Sequence, residues 1–510
     1  MVDVEVNQVD GQHHHLPAGV AYDPAAAGLG TLPRSWARHF DAAPERTCLL
    51  DAAGAALCYG DLDRATRAAA GRLHASGLRR GDRVLCSAAA SPGLVIAHVA
   101  CLRLGLVVIP TNTAYRREEI MHVVRDARPA AAIVDASACS EAVRAADASV
   151  QVFAPAIDAP TADAPALDET EPSAPALIGY TSGTTGRPKG AVLSHANLLA
   201  SVEALRLAWR WSADDRLVLA LPLFHMHGLG VGLHGTLHAG ASAILLPRFD
   251  PDAVFDAIDA HGATLFFGVP TMYRRLVDAT RARELARLRL CVSGSAPLPA
   301  DLHRRFEAAT GQRIVERYGM TETAMLVSNP VDGERRPGTV GLPLPGVEVR
   351  LAGRPAQIEV RGANVFAGYF ERDDATAEAF AEAGWFRTGD LGELDEAGYL
   401  VISGRVKELI ISGGYNVYPR EVEDALRLHP AIEDAAVVGT ASEEWGEVVT
   451  AYVVASEEIE ADGLRGFLDD HIAAYKHPRR LHRIDALPRN ALGKVQKHRL
   501  AHGRVLGEET

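Results

Sequence analysis

The sequence predicts an α/β protein: a large N-terminal domain of doubly wound mixed and parallel sheets, a β-rich subdomain, and a small, mobile α+β domain at the C-terminus. Three observations carry this. From about residue 33 to 134, short Val/Ile-rich runs alternate with helix-length segments, the pattern of a parallel sheet covered on both faces. After Gly346 the hydrophobic alternation shortens to Val347–Leu351, Gln357–Val360 and Tyr399–Ser403, which reads as β-rich structure. From Arg405 a further stretch of mixed helix and strand signals is long enough to fold as its own unit. A chain of 510 residues exceeds what one hydrophobic core sustains. The expected division is residues 1–403 for the large domain, with its β-rich part at about 346–403, a junction at 404–408, and 409–510 for the small domain.

In chain order, Tyr59–Ala75 reads as a helix and Arg83–Cys86 as a strand. The most apolar stretch, Gly93–Thr111, contains His98 and Arg103 and is expected to be a buried helix and strand, not a membrane span. Ala154–Pro175, rich in Ala, Pro and Asp, reads as a surface connection. Leu217–Ala220, Ala243–Leu246, Thr264–Phe267 and Leu288–Val292 read as strands that end in polar or glycine loops. Ligands of open α/β sheets bind at such strand ends, so these loops form the expected rim of a site.

Net charge is −13 with a pI near 5.9, which excludes a basic nucleic-acid surface. Any phosphate ligand must be held by local groups. The six cysteines include no C-x-x-C pair and read as reduced core residues of a cytoplasmic protein. The N-terminus carries no apolar h-region and no Arg-rich amphipathic pattern. His13–His15 is taken as a loose leader and not as a metal site. Lysine occurs only at 189, 407, 476, 494 and 497, and where Arg supplies nearly every cation, each retained ammonium invites a reason.

The most informative string is Tyr180–Gly190, in which Thr181, Ser182, Gly183, Thr184, Thr185, Gly186, Arg187 and Lys189 gather hydroxyls, glycines and cations between two apolar runs. Glycines let backbone approach oxyanions, hydroxyls donate, and the cations add charge. The order lacks the Lys-Ser/Thr pair of a Walker A loop. Further strings stand out: Glu316–Thr323, Arg387–Asp390, Gly404–Glu408, Ser412–Pro419, the cationic Tyr475–Arg480, and Pro488–Lys497. Read alone, each is also an ordinary turn or solvated surface run. Pro222–Gly228 places His225 and His227 after a strand without a third ligand spaced for metal.

Together these strings resemble the adenylate-forming superfamily of acyl-CoA synthetases, luciferases and peptide-synthetase adenylation domains, over nearly the whole chain. The resemblance implies an ATP site of the 181–189 loop, Ser295, Ala296, Pro297, Glu316, Arg317, Tyr318, Gly319, Met320, Thr321, Thr323, Asp390 and Arg405. Tyr318 would stack on the purine, Thr323 touch the α-phosphate and Asp390 accept from the ribose hydroxyls. Glu322, with Thr181, would hold Mg²⁺, a hard ion suited to oxygen ligands. Lys407 matches the hinge and Lys494 the lysine that serves adenylation; His225 lies beside the acyl pocket. The glycine-rich Ser412, Gly413, Gly414 and Tyr415, with Lys476, suit coenzyme A passing close to backbone.

Gly268–Leu276, Val292–Leu298 and Asp332–Val340, with His225-Met226-His227, narrow the resemblance to malonyl-CoA synthetases. That implies a ligase turning malonate, ATP and CoA into malonyl-CoA, AMP and pyrophosphate through a malonyl-adenylate. A buried second carboxylate requires a cation or strong donors, and Arg275, Arg335, Ser293, His227 and Met320 are the expected acid-binding residues. Other readings remain: a ligase for methylmalonate, fatty or aryl acids, an enzyme loading a carrier protein, or a non-catalytic nucleotide binder. The expected partners are small molecules, with no nucleic acid and no membrane insertion.

Overall fold

The computed structural model describes residues 6–23, 30–157, 165–181, 188–442, 444–490 and 493–500. The chain divides into two compact units, one of residues 9–349 and 360–386, the other of residues 1–8, 350–359 and 387–510.

The larger unit contains two sheets. One has seven strands in the order Gly368–Tyr369, Lys189–Ser194, Pro175–Thr181, Val107–Pro110, Arg83–Ser87, Ala131–Val134 and Gln151–Phe153. From Pro175–Thr181 to Gln151–Phe153 its strands run parallel, and the other edge is antiparallel. The second, nine-stranded sheet is parallel from Val315–Tyr318 through Leu290–Ser293, Leu265–Gly268, Arg216–Leu219 and Ser242–Leu245 to Thr47–Leu50. Every strand expected from the Val/Ile runs is present. The fully buried register of Leu290–Ser293 explains why its sequence is a continuous apolar run and not an alternating one.

The helices begin and end as their sequences dictate. Pro92–Leu104 starts with Ser91 accepting from Leu94 N at 3.2 Å and a proline in its first turn, and stops at Gly105, whose φ is 79°. Arg103 sits inside this apolar helix at 1% exposure. Its charge is met by Asp63 at 2.7 Å and Asp168 at 2.9 Å, and its guanidinium lies 4.9 Å over the Phe40 ring. Among the described residues no helix is long and apolar enough to cross a membrane. The N-terminal histidines are not loose: Gln12–His15 forms a 3₁₀ turn, and the buried His15 ring bonds the Leu342 carbonyl at 3.1 Å.

In the smaller unit the strands Phe386–Leu394 and Leu400–Arg405 pair antiparallel, which sets Asp390 opposite Arg405. A second sheet follows the order Tyr415–Val417, Ile410–Ser412, Gly446–Ala455 and Ile432–Ser442, with Arg480–Arg483 parallel to Gly446–Ala455. The helices Pro419–Leu426 and Ala461–Asp469 cover it through Val422, Leu426, Leu464 and Leu468.

The core of the larger unit stacks Phe266 edge-on to Tyr273 at 5.5 Å, and Tyr273 edge-on to Phe306 at 5.6 Å. Phe266 is fully buried. Phe266→Ala is therefore expected to destabilise this unit by about 3–5 kcal/mol, read as a lower urea midpoint of its unfolding transition.

Candidate active site

In the larger unit, the hairpin of Pro175–Thr181 and Lys189–Ser194 pairs Thr181 with Lys189. Ser182, Gly183, Thr184, Thr185, Gly186 and Arg187 between them lie outside the described residues. The Lys189 ammonium stands 5.4 Å from the centre of the Tyr369 ring, and Tyr369 Oη donates to Glu322 Oε1 at 3.0 Å. The end of the loop and the acidic residue of the Glu316–Thr323 string thus meet across one aromatic ring. Burial first, then the Glu322 carboxylate, pushes the Tyr369 phenol above its ordinary pKa, so it stays a donor. Glycine is needed at 179, because a Cβ there would fall 2.5 Å from Thr321 Cγ2. The hairpin therefore packs directly on the Thr321–Thr323 turn. Asn364 fixes that turn by donating to the Thr323 and Met325 carbonyls at 2.8 and 2.9 Å.

Thr323 is fully buried with its hydroxyl unpartnered, and a buried orphan hydroxyl signals a missing ligand group. Glu322 is 4% exposed. Among the described residues no three His, Cys, Asp or Glu side chains gather as a metal cage. One carboxylate with substrate phosphates is the ligand set Mg²⁺ takes, so the residues fit that ion and not a dedicated protein site.

In the nine-stranded sheet, the ends of Leu290–Ser293 and Val315–Tyr318 lie side by side with Ser293 opposite Glu316. His227 opens a π-helix, His227–Leu233, a form common at functional sites. It is 3% exposed, its Nδ1 lies 3.3 Å from Ser295 Oγ, and its Nε2 has no partner. Arg317 Nη2 approaches the same Ser295 oxygen at 3.5 Å. The Arg317 guanidinium is buried, its Nε is unpartnered, and among the described residues no carboxylate pairs with it. Burial pulls its pKa down to about 9, which leaves it cationic at neutral pH. Burial, then Arg317 and His225, keep His227 neutral, and burial lowers the half-buried His225 to about 4.

Gly294 carries no side chain because a Cβ would sit 2.4 Å from Arg317 Cζ. Ser295 adopts φ 69°, a strained value for a non-glycine residue. Glu316 Oε1 steadies the following turn by accepting from Leu298 N at 3.0 Å. Ser293 is fully buried with an unpartnered hydroxyl. Met320 and Ala296 are half-buried, Pro297 is exposed, and Tyr318 is buried. The two expected acid-binding arginines make local contacts of their own. Arg275 is exposed with its guanidinium 5.0 Å over Phe249, and Arg335 donates to the Arg313 and Val331 carbonyls, the latter at 3.1 Å. The sequence reading placed Arg317 in the ATP site through the Glu316–Thr323 string; its burial without a carboxylate partner is visible only in the fold.

In the smaller unit Asp390 is 3% exposed and pairs with Arg405 Nε at 3.0 Å. Lys494 lies on a hairpin closed by Asn490 N to Lys494 O at 2.9 Å and Gln496 N to Pro488 O at 2.7 Å. Though Lys494 is exposed, desolvation by the surrounding protein, then Arg405, lowers its pKa, opposed by Asp390 and Glu408. Sequence reasoning linked Asp390, Arg405 and Lys494 one by one; their electrostatic contact comes from the fold. Lys407 is exposed on a 3₁₀ turn, Val406–Glu408. Ser412 is buried, Gly413 and Gly414 have φ of 57° and 82°, and Tyr415 stacks on Tyr475 at 4.8 Å beside the Lys476–Glu421 ion pair.

Sequence and structure comparisons identify the family. The model for AMP-binding enzymes matches residues 36–370, and that for the AMP-binding enzyme C-terminal domain matches residues 421–494. A feruloyl-CoA synthase of Amycolatopsis sp. is 37% identical over 491 residues, covering 92% of this chain and 98% of that protein. A malonate–CoA ligase of Arabidopsis thaliana is 34% identical over 475 residues, covering 83% and 78%. The structure of ATP-bound MatB from Rhodopseudomonas palustris superposes with a TM-score of 0.87 at 39% identity, covering 92% and 98%. The chain belongs to the AMP-binding enzyme family and is an AMP-forming acid–CoA ligase, close to the malonyl-CoA synthetases.

Proposed function

We propose that this ligase acts on malonate, forming malonyl-CoA, AMP and pyrophosphate from malonate, ATP and CoA. The observation that carries the choice of acid is Arg317, a buried cation with no carboxylate of its own beside the orphan donors of Ser293 and His227. A lone buried charge is costly, and a short acid with a second carboxylate offsets that cost where a fatty or aryl tail would not. A guanidinium takes a carboxylate through two parallel hydrogen bonds. The relatives matched at similar identity carry differently named acids, feruloyl and malonate among them, so the pocket's charge is the stronger argument.

In the proposed sequence of steps, one malonate carboxylate oxygen attacks the α-phosphorus of ATP, and pyrophosphate leaves. Thr323 Oγ1 and Lys189 donate to the phosphates and Asp390 accepts from the ribose. Mg²⁺, when bound through Glu322 and the phosphates, neutralises developing oxyanion charge. Lys494 bridges the reacting carboxylate and the α-phosphate. The CoA thiol then attacks the acyl carbonyl and AMP leaves, with Ser412–Tyr415 and Lys476 along the path of the incoming chain. In this scheme residues 409–510 turn about 404–408 at Lys407 between the half-reactions.

Three outcomes test this. Arg317→Met should lower kcat/KM for malonate by about 10²- to 10³-fold while leaving propionate unchanged or improved, and Arg275→Met should change little; preference of the wild-type enzyme for octanoate in a pyrophosphate-release assay would overturn the choice of acid. Ser295→Gly should hold or raise the thermal midpoint, because glycine accepts φ 69° without strain, yet raise KM for malonate. Lys494→Ala should cut acid-dependent ATP–pyrophosphate exchange by about 10²- to 10³-fold and spare thioester formation from supplied malonyl-adenylate. Because the lysine's pKa is depressed and the ammonium is the working form, wild-type exchange should fall as pH rises through that lowered value, whereas Lys494→Arg should move this alkaline limb upward.

A further inference from the structure

Two lysines three residues apart on the C-terminal hairpin occupy different surroundings. Lys494 is exposed and makes no ion pair among the described residues. Lys497 has 21% of its side chain exposed, and its ammonium lies 2.7 Å from Glu423 Oε1 and 3.1 Å from Glu408 Oε2. Glu423 is held from a second side, since the same oxygen accepts from Val437 N at 2.9 Å. Glu408 accepts no backbone N–H of this kind among the described residues and follows Lys407 directly, at the end of the 3₁₀ turn.

Glu408 faces three cations. Burial pushes its carboxyl up, but Lys497 first, then Arg405 and Lys494, hold it below the usual range. Lys494 in turn faces Arg405, Asp390, Glu408 and Lys497. One carboxylate is therefore within the field of two ammoniums, and only Lys497 is paired with it. If Lys497 were neutral, Glu408 would keep its charge, and Lys494 is the other ammonium whose field reaches it. An ammonium held in an internal ion pair is a weaker partner for substrate oxyanions, because that pair must be broken before the lysine can serve them.

We infer that Lys497 is a positioning residue for the adenylation half-reaction: by occupying Glu408 together with Glu423, it keeps the Glu408 carboxylate from capturing the Lys494 ammonium. This rests on the proposed role of Lys494. Nothing else in the sequence marks Lys497, which forms the second lysine of the Pro488–Lys497 string and has no assigned task there. A purely mechanical role, tying the hairpin to the helix Pro419–Leu426, uses the same two bonds but predicts a different response when Glu408 is also neutralised.

The test compares full-length Lys497→Met, Glu408→Gln and the double variant in malonate-dependent ATP–pyrophosphate exchange and in thioester formation from supplied malonyl-adenylate. Capture predicts that Lys497→Met loses about tenfold or more in exchange, keeps thioester formation within about twofold, and regains exchange to within about threefold of Glu408→Gln when the second change is added. A double variant as slow as Lys497→Met overturns the inference in favour of the mechanical tie. Lys497→Met exchanging at the wild-type rate overturns it outright. Should Lys497→Met fail to fold, Lys497→Arg and Lys497→Gln carry the same comparison: the charged variant is expected to keep exchange within about threefold of wild type and the neutral one to lose it, and equal rates for the two overturn it. If Lys494→Ala itself retains exchange, the fault lies with the assignment of Lys494 and not with this coupling.

Discussion

A guanidinium in an apolar interior needs either a carboxylate or a ligand that brings one, and the proposed acid pocket depends on Arg317, which is buried with an unpartnered Nε and paired with no carboxylate among the described residues. Burial without compensation works against charge, which is why its pKa is drawn down and why the adjoining histidines are neutral. The contrast with Arg103 is instructive. That cation is equally buried, but Asp63 and Asp168 complete it, so it has nothing left to offer a ligand. Two buried arginines in one unit thus serve opposite ends: one closes a structural network, the other leaves a network open. Gly294 supplies the room, and Ser295 accepts backbone strain to aim its hydroxyl at the same spot.

The nucleotide side follows a similar logic with different groups. Lys189, Tyr369 and Glu322 form a short relay in which an aromatic ring sits below a cation and donates to an anion. The ring thus contacts the ammonium through its face and the carboxylate through its hydroxyl. In the proposed site, phosphate oxygens suit the first charge and a hard cation the second. Thr323, buried with an idle hydroxyl, belongs to the same incomplete set.

Much of the fold was legible because its signals are local. Parallel strands buried on both faces appear as uninterrupted Val, Ile and Leu runs, and Ser91 with Gly105 delimit their helix by capping chemistry alone. The position of the N-terminal histidines was not legible, since His15 is buried by Leu342, more than three hundred residues away. The same limit governed the site. Motif residues such as Glu322 and Asp390 could be named from short strings, whereas which arginine is buried without a partner depends on contacts from several strands. Arg275 and Arg335 satisfied the chemistry of acid recognition in the sequence; in the fold the first is exposed with its guanidinium over Phe249 and the second donates to backbone carbonyls. Tyr369 escaped notice for a related reason, because its partners come from two other segments of the chain.

The scarcity of lysine gains a physical meaning in this light. Lys497 meets two carboxylates from different elements at 2.7 and 3.1 Å, a task for a compact ammonium whose donors point in several directions. Lys189 sits above an aromatic ring while keeping its remaining donors for other groups. Lys494 stands exposed amid two cations and two carboxylates, with a depressed pKa that an arginine would resist far more strongly. Arginine would serve at an ordinary surface ion pair, and in this chain it does so many times, from Arg64–Asp61 to Arg427–Asp424. Three of the five lysines, Lys189, Lys494 and Lys497, thus sit where the surroundings favour a small, adjustable charge. A sequence dominated by arginine therefore marks its exceptional electrostatic positions by the cation it does not use.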